Sequence, residues 1–211
     1  MNIKIKKEKK MDITIDNAKE ILKKYLKNNK ERLYHSIRVA KMAKILAQKN
    51  DEVLEDTIIA ALLHDIGKSM TQSELLSLCA SNETLMYDFE IFQLPNALHG
   101  KAGAIIFEKE FDRNSNPEKF DRIKQAIAYH VAGGEEKMTK LDKIIYIADS
   151  IEPEKENRYN SNDKKSLLTK INKGELVDID EIVKLIIQEK KKRAQENGRE
   201  CNPLIDNILE L

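Results

Sequence analysis

Six side chains in this sequence are of the types that hold transition metals, and they are spread along the chain: His35, the adjacent pair His64-Asp65, His99, His130 and Asp149. A histidine offers one imidazole nitrogen, and a carboxylate can give one oxygen to each of two cations. The His-Asp pair closes the apolar run Leu62-Leu63 and is followed by Ile66-Gly67-Lys68. Gly67 lets a helix end or bend there, and Lys68 puts a cation beside any anion the metals hold. Each residue taken singly has a plain explanation. A His-Asp dipeptide can simply cap a helix, and one histidine on an apolar stripe is usually a core residue with its hydrogen bonds satisfied. Four histidines and two aspartates on the inner faces of five helices are harder to explain by packing. Burying six such groups unpartnered costs on the order of 1–3 kcal/mol each, whereas a metal centre satisfies all of them together.

The elements that carry these residues are helical. Apolar residues recur at spacings of three and four almost throughout, and period-2 alternation is confined to Ile13–Ile15. The pattern predicts a helix capped by Asp16 and running to Asn28, then Glu31–Lys49 with His35, Val39, Met42 and Leu46 on one face. Leu54–Ile66 follows, where Leu54, Ile58, Ala61 and Asp65 share a face. Thr71 and Glu74 form a capping-box signature for a helix through Ala80. A helical turn is expected around Leu85–Phe92, stopped by Pro95. Asn96–Glu110 carries His99, Ala102, Gly103 and Ile106 on one face, whose small residues admit a close neighbour. Glu118–Ala132 carries His130 and ends at Gly133-Gly134. Thr139–Ser150 buries Leu141, Ile145 and Ala148 and places Asp149 near its C-terminus, where the dipole disfavours an unpaired carboxylate. Pro153–Asn162 reads as a loop, with helices near Asp163–Lys173 and Ile179–Glu196 and a short docking helix at Pro203–Leu211.

At 211 residues, 41% apolar and 35% charged, the chain suits one soluble all-α domain spanning residues 16–211, with residues 1–15 a leader that is disordered or nearly so. Lys+Arg (37) and Asp+Glu (36) nearly cancel, so no global field attracts nucleic acid or an anionic membrane. Cys79 and Cys201 lie far apart and read as free thiols of a reducing cytoplasm. No apolar run approaches the ~18 residues of a membrane span. Exposed apolar positions in Phe89–Leu94 suggest a homodimer contact.

The order His, His-Asp, His, His, Asp resembles the HD superfamily of metal-dependent phosphohydrolases, and more narrowly the bacterial YqeK family of symmetrical dinucleoside tetraphosphate hydrolases. The segments that carry the resemblance are His35-Ser36-Ile37-Arg38-Val39-Ala40, Leu63-His64-Asp65-Ile66-Gly67-Lys68, Leu98-His99-Gly100, Ala126-Ile127-Ala128-Tyr129-His130 and Asp142 to Pro153. Asp149 followed by Ser150-Ile151-Glu152-Pro153 is the part that narrows it. The family has an arginine close behind that proline, whereas here four residues precede Arg158. The resemblance implies a helical bundle with a metal site in its core. One metal would be held by His35, His64, Asp65 and Asp149. A second would share Asp65 and add His99 and His130. A nitrogen-rich donor set favours Fe, with Mn, Co, Zn or Ni possible. The implied reaction is attack by a metal-bridging hydroxide on diadenosine tetraphosphate, giving two ADP, with Asp65 and Lys68 as the catalytic pair. Arg38, Lys68, Lys101 and Gly133 are the expected substrate contacts.

Three alternatives share parts of the pattern. A cyclic di-GMP phosphodiesterase would need a second histidine beside His130 and a downstream Gly-Tyr-Pro; Val131 follows His130 and no Gly-Tyr-Pro occurs. A nucleotide or dNTP phosphohydrolase of the same superfamily is a stronger alternative than that branch. A non-catalytic, nucleotide-binding regulatory domain would not need all six donors.

Overall fold

In a computed structural model of the chain, residues 10–134, 137–154, 161–173, 175, 178–198, 201–205 and 208 are described. Ten α-helices carry them: α1 (Ile15–Leu26), α2 (Lys30–Lys49), α3 (Leu54–Leu63), α4 (Gln72–Ser81), α5 (Asp88–Phe92), α6 (His99–Glu110), α7 (Pro117–Tyr129), α8 (Lys140–Ile151), α9 (Ser161–Lys173) and α10 (Ile179–Glu196). The fold is all-α. The single β feature among the described residues is a parallel bridge between Met11 and Phe111.

The helices form because each has an apolar stripe and a defined start. The side chains of Thr14, Asn29, Thr71, Asn116, Thr139 and Asp178 accept hydrogen bonds from first-turn backbone N–H groups. The Thr71–Glu74 capping box is present as expected, and Thr139 with Asp142 makes another. Thr14, not Asp16, caps α1; Asp16 falls in the first turn, where its carboxylate suits the dipole. Residues 10–14, grouped with the leader by composition, are fixed on the domain: Met11 exchanges backbone hydrogen bonds with Glu110 and Asp112, and Ile13 is buried. Residues 1–9 lie outside the described residues.

α3 and α8 form the centre. Ile59 to Leu63 and Ile144 to Ala148 are buried on all sides, because α3 packs on α1, α2, α7 and α8, and α8 on α2, α7 and α10. Phe107, Phe111 and Phe120 stack where α6 meets α7, with ring centres 4.7 and 5.0 Å apart. Leu204, Ile205 and Ile208 are buried as well; of the C-terminal helix expected over Pro203–Leu211, Pro203–Ile205 forms a 3₁₀ turn, and residues 206, 207 and 209–211 lie outside the described residues. Phe92 is 79% exposed on α5, the expected helical turn.

Boundaries differ from expectation at points that matter for chemistry: α7 stops at Tyr129 and not at Ala132, so that His130 is its C-cap, and two more lie around Asp65 and His99. The third helix stops at Leu63, three residues early, and a 3₁₀ turn follows at Ile66–Ser69. Asp65 sits between them with φ −101° and ψ 11°, the sparsely used bridge region. The helix expected from Asn96 begins as a 3₁₀ turn, Pro95–Leu98, so His99 is the first α-helical residue of α6. The reason Gly67 is glycine is close approach: a Cβ there would lie 2.2 Å from the His99 carbonyl oxygen. Gly100 and Gly103 likewise let α6 press on α7, a Cβ at Gly100 falling 2.8 Å from the Ala128 carbonyl oxygen.

Gly67→Ala is therefore expected to push the start of α6 off the Ile66–Ser69 turn, costing about 1–3 kcal/mol in a urea melt, with a matching loss of bound metal. Cys79 is fully buried and burial pushes its thiol up to about 11. A thiol titration at pH 8 should modify the partly exposed Cys201 at once and Cys79 only after denaturation.

Candidate metal centre

The three histidines at helix ends are oriented by the backbone. In the last turn of a helix the carbonyls lack intrahelical partners, and His64 Nδ1 lies 2.7 Å from the Ala61 carbonyl oxygen at the end of α3. His130 Nδ1 lies 2.7 Å from the Ile127 carbonyl oxygen at the end of α7. His99 Nδ1 lies 2.5 Å from the Asn96 carbonyl oxygen in the 3₁₀ turn before α6. A carbonyl only accepts, so each Nδ1 carries the proton and donates. Each ring then turns its Nε2 inward.

His35 is oriented by a carboxylate. Its Nδ1 lies 3.2 Å from Glu152 Oε2, and its Nε2 2.9 Å from Asp149 Oδ1. Glu152 is fully buried at the end of α8. It accepts 2.7 Å from Arg38 Nε and 2.8 Å from the Glu154 backbone N–H. Burial works to raise the Glu152 carboxyl, but the Arg38, Glu154 and His35 contacts outweigh it and hold the group below its ordinary range.

The four histidines converge on Asp65. Its Oδ2 lies 3.7 Å from Nε2 of both His35 and His64, and its Oδ1 lies 3.2 Å from His99 Nε2 and 3.6 Å from His130 Nε2. Asp149 Oδ1 is also 3.5 Å from His64 Nε2. Two overlapping sets of three donor atoms, one from His35, His64 and Asp149 and one from His64, Asp65 and His130, lie within 4.8 Å of one another. One carboxylate thus faces two groups of nitrogens with its two oxygens.

The electrostatics fit divalent cations. Burial pushes His99 down, Lys68 adding to the effect, and His130 down to about 4, with His64 and His99 adding to it. Both rings are therefore neutral with Nδ1 protonated, so their Nε2 lone pairs face each other 3.0 Å apart. That is about the separation of adjacent donors around one ion with bonds of ~2.1 Å, and it is repulsive without a cation between them. His64 Nε2 is buried with no hydrogen-bond partner among the described residues. Burial opposes charge on His64 as well, yet Asp65 and Asp149 raise it, so the surroundings favour positive charge there. Burial would raise Asp65, but His64, His130 and His99 hold it well below the usual carboxylate range. An orphaned inward nitrogen, opposed lone pairs and an ionised central carboxylate all suit a bound metal.

The expected substrate contacts fare unevenly. Lys68 lines the pocket over Asp65, together with His99, His130 and Asp149. Arg38 does not line it; Glu152 and Glu154 take its guanidinium, the latter at 3.1 Å. Lys101 is tied to Glu90 at 2.5 Å and to the Leu85 carbonyl at 3.0 Å, over the Tyr87 ring, where it anchors α5 to α6. Gly133 is the helix stop of α7: its φ is +76°, its N–H bonds the Tyr129 carbonyl, and it packs against Ile208. Arg158 lies outside the described residues. Sequence reasoning missed two cations that do line the pocket, Arg32, whose Nη1 is 3.3 Å from Asp65 Oδ2, and Lys190. Arg32 stands three residues before His35, one helical turn, and that spacing was the available signal. It also missed the part played by Glu152.

This arrangement defines a class. The HD domain model matches residues 32–154, more than half of the chain, and the chain belongs to the HD domain family. It is a hydrolase of that family. Over 145 residues it is 34% identical to a Staphylococcus aureus protein named bis(5'-nucleosyl)-tetraphosphatase, symmetrical, covering 67% of this chain and 68% of that one. Over 125 residues it is 30% identical to a Mycoplasma genitalium protein named probable nicotinate-nucleotide adenylyltransferase/Ap4A hydrolase, covering 58% of this chain but only 32% of that longer one. A crystal structure from Clostridium acetobutylicum, titled a predicted HD superfamily hydrolase involved in NAD metabolism, superposes with a TM-score of 0.75. That likeness extends over 92% of this chain and 94% of that one, at 26% identity.

Glu152→Gln should weaken metal binding by about 10–100-fold, read by chelator competition with Mn²⁺ or Co²⁺, because His35 loses the anion that orients it and strengthens its donor nitrogen. Arg38→Lys, which keeps the charge and loses the directed Nε–H bond, should give a smaller loss of the same kind.

Proposed function

We infer that this protein hydrolyses dinucleoside tetraphosphates symmetrically, cleaving diadenosine tetraphosphate to two ADP, with two divalent metal ions as cofactors. The observation that carries the reading is the convergence of four imidazole nitrogens on the two oxygens of Asp65. The names of relatives at about 30% identity supply the substrate class. His35, His64, Asp65 and Asp149 would hold one ion, and Asp65, His99 and His130 the other. Bound there, divalent ions supply Lewis acidity and a water acidic enough to act as a nucleophile near neutral pH. Fe is the favoured metal for so nitrogen-rich a set, with Mn, Co, Zn or Ni as possible occupants.

The chain's own residues do the rest. Asp65 keeps the two groups of histidines side by side, which fixes where a phosphorus must lie. The Nδ1 bonds hold the rings in the tautomer that presents Nε2. Lys68 and Arg32, at the pocket, neutralise charge on phosphate oxygens as the bridge between the two middle phosphates breaks. Water's hydroxyl joins one phosphorus, and its proton ends on the other ADP.

Asp65→Ala and His64→Ala should each remove metal and hydrolysis together while far-UV circular dichroism stays native. Ordinary turnover with full metal content in Asp65→Ala would overturn the reading. Chelation followed by re-addition of Fe, Mn or Co identifies the working ion. Chromatography of the products separates ADP from dinucleoside substrates, as expected, from inorganic phosphate released from mononucleotides, which would point to a different phosphohydrolase.

A further inference from the structure

Among the described residues, the cationic side of the pocket is assembled from three separate elements. Arg32 comes from α2, Lys68 from the 3₁₀ turn after Asp65, and Lys190 from α10. The first two lie inside the family match at residues 32–154, whereas α10 lies wholly outside it. α10 is pinned against α8 by Ile182, Val183, Ile186 and Ile187, all buried. Lys190 follows Ile186 and Ile187 by four and three residues and so continues that face. Its Nζ stands 3.9 Å from the centre of the Tyr146 ring, and Tyr146 is fully buried in α8. Tyr146 precedes Asp149 by three residues, so the ring face fixes the ammonium one turn along α8 from a candidate metal ligand.

That placement has a chemical consequence. A phosphomonoester needs cations only at the reacting phosphorus, whereas a polyphosphate carries further anionic groups that must lie along the pocket. Lys190 lines the same pocket as Asp65, Lys68 and Arg32, and an ammonium carries three N–H donors that can be shared with a phosphate oxygen. We propose that Lys190 is a specificity-determining residue: it binds a phosphate beyond the one under attack and so favours polyphosphate over monophosphate substrates. The proposal rests on the phosphohydrolase reading above and adds to it a residue from outside the family segment.

The test is calorimetric titration of the purified, metal-loaded protein with inorganic tripolyphosphate and, separately, orthophosphate. Lys190→Met keeps the aliphatic stem and removes the charge; Lys190→Gln is a second neutral variant should the first melt early. Both should bind tripolyphosphate on the order of tenfold more weakly than wild type. Orthophosphate binding should fall by a clearly smaller factor, and Lys190→Arg should recover most of the loss. With diadenosine tetraphosphate, the loss should fall on KM more than on kcat. If wild type binds tripolyphosphate no better than orthophosphate, the proposal is overturned. It is equally overturned if the neutral variants lose thermal stability yet keep wild-type tripolyphosphate affinity, since Lys190 would then only brace α10 on Tyr146. The titration reads binding, so a normal result without cleavage of diadenosine tetraphosphate would count against the substrate assignment alone.

Discussion

A histidine at the end of a helix can give its Nδ1 proton to a carbonyl that the helix leaves unpaired, and this chain makes that bond at His64, His99 and His130. The bond does two things at once. It satisfies a buried carbonyl, which would otherwise cost about 1–3 kcal/mol. It also leaves Nε2 as the inward-facing nitrogen without any further side chain to orient it. His35, in mid-helix, has no such carbonyl within reach, because the ladder of α2 uses them. Its partner is instead Glu152, held in turn by Arg38. The site therefore depends on where helices end as much as on which residues they carry.

That dependence explains the packing around Asp65. Nitrogens from the ends of α3 and α7 and the start of α6 can meet only if those ends approach closely. The glycines at 67, 100 and 103 are where the approach happens, each facing an atom that a side chain would strike or crowd. Glycine inside a helix costs roughly 1 kcal/mol against alanine, and α6 carries two in its first five residues. The gain is a junction tight enough to bring His99 and His130 within 3.0 Å of each other.

Much of this was legible in the sequence, and the failures share one cause. Helical periodicity located the helices of the fold, because burial of one stripe is a local property of the chain. The six candidate ligands could be singled out because histidine is scarce here and an inward polar residue is conspicuous on an apolar stripe. Helix ends were less legible: Pro95 and Gly67 mark breaks, but whether the chain continues as an α-helix or a 3₁₀ turn depends on what packs there. Long cations were the least legible. Arg38, Lys101, Arg32 and Lys190 are similar as residues, and only the tertiary structure says which meets a carboxylate and which reaches the pocket. Glu152 stood in a motif that was recognised, but its bond to His35 joins residues 117 apart in sequence.

The distribution of charge follows from the same architecture. The chain is nearly neutral, with a formal net charge of +1, so long-range attraction of an anion cannot come from the molecule as a whole. At an ionic strength of 0.15 M the field of an exposed charge decays over about 8 Å, and only charges near the pocket mouth act on an approaching phosphate. Arg32, Lys68 and Lys190 are such charges, and each is set by a different element. Arg32 also stands 3.3 Å from Asp65, so the rim and the centre are electrostatically joined.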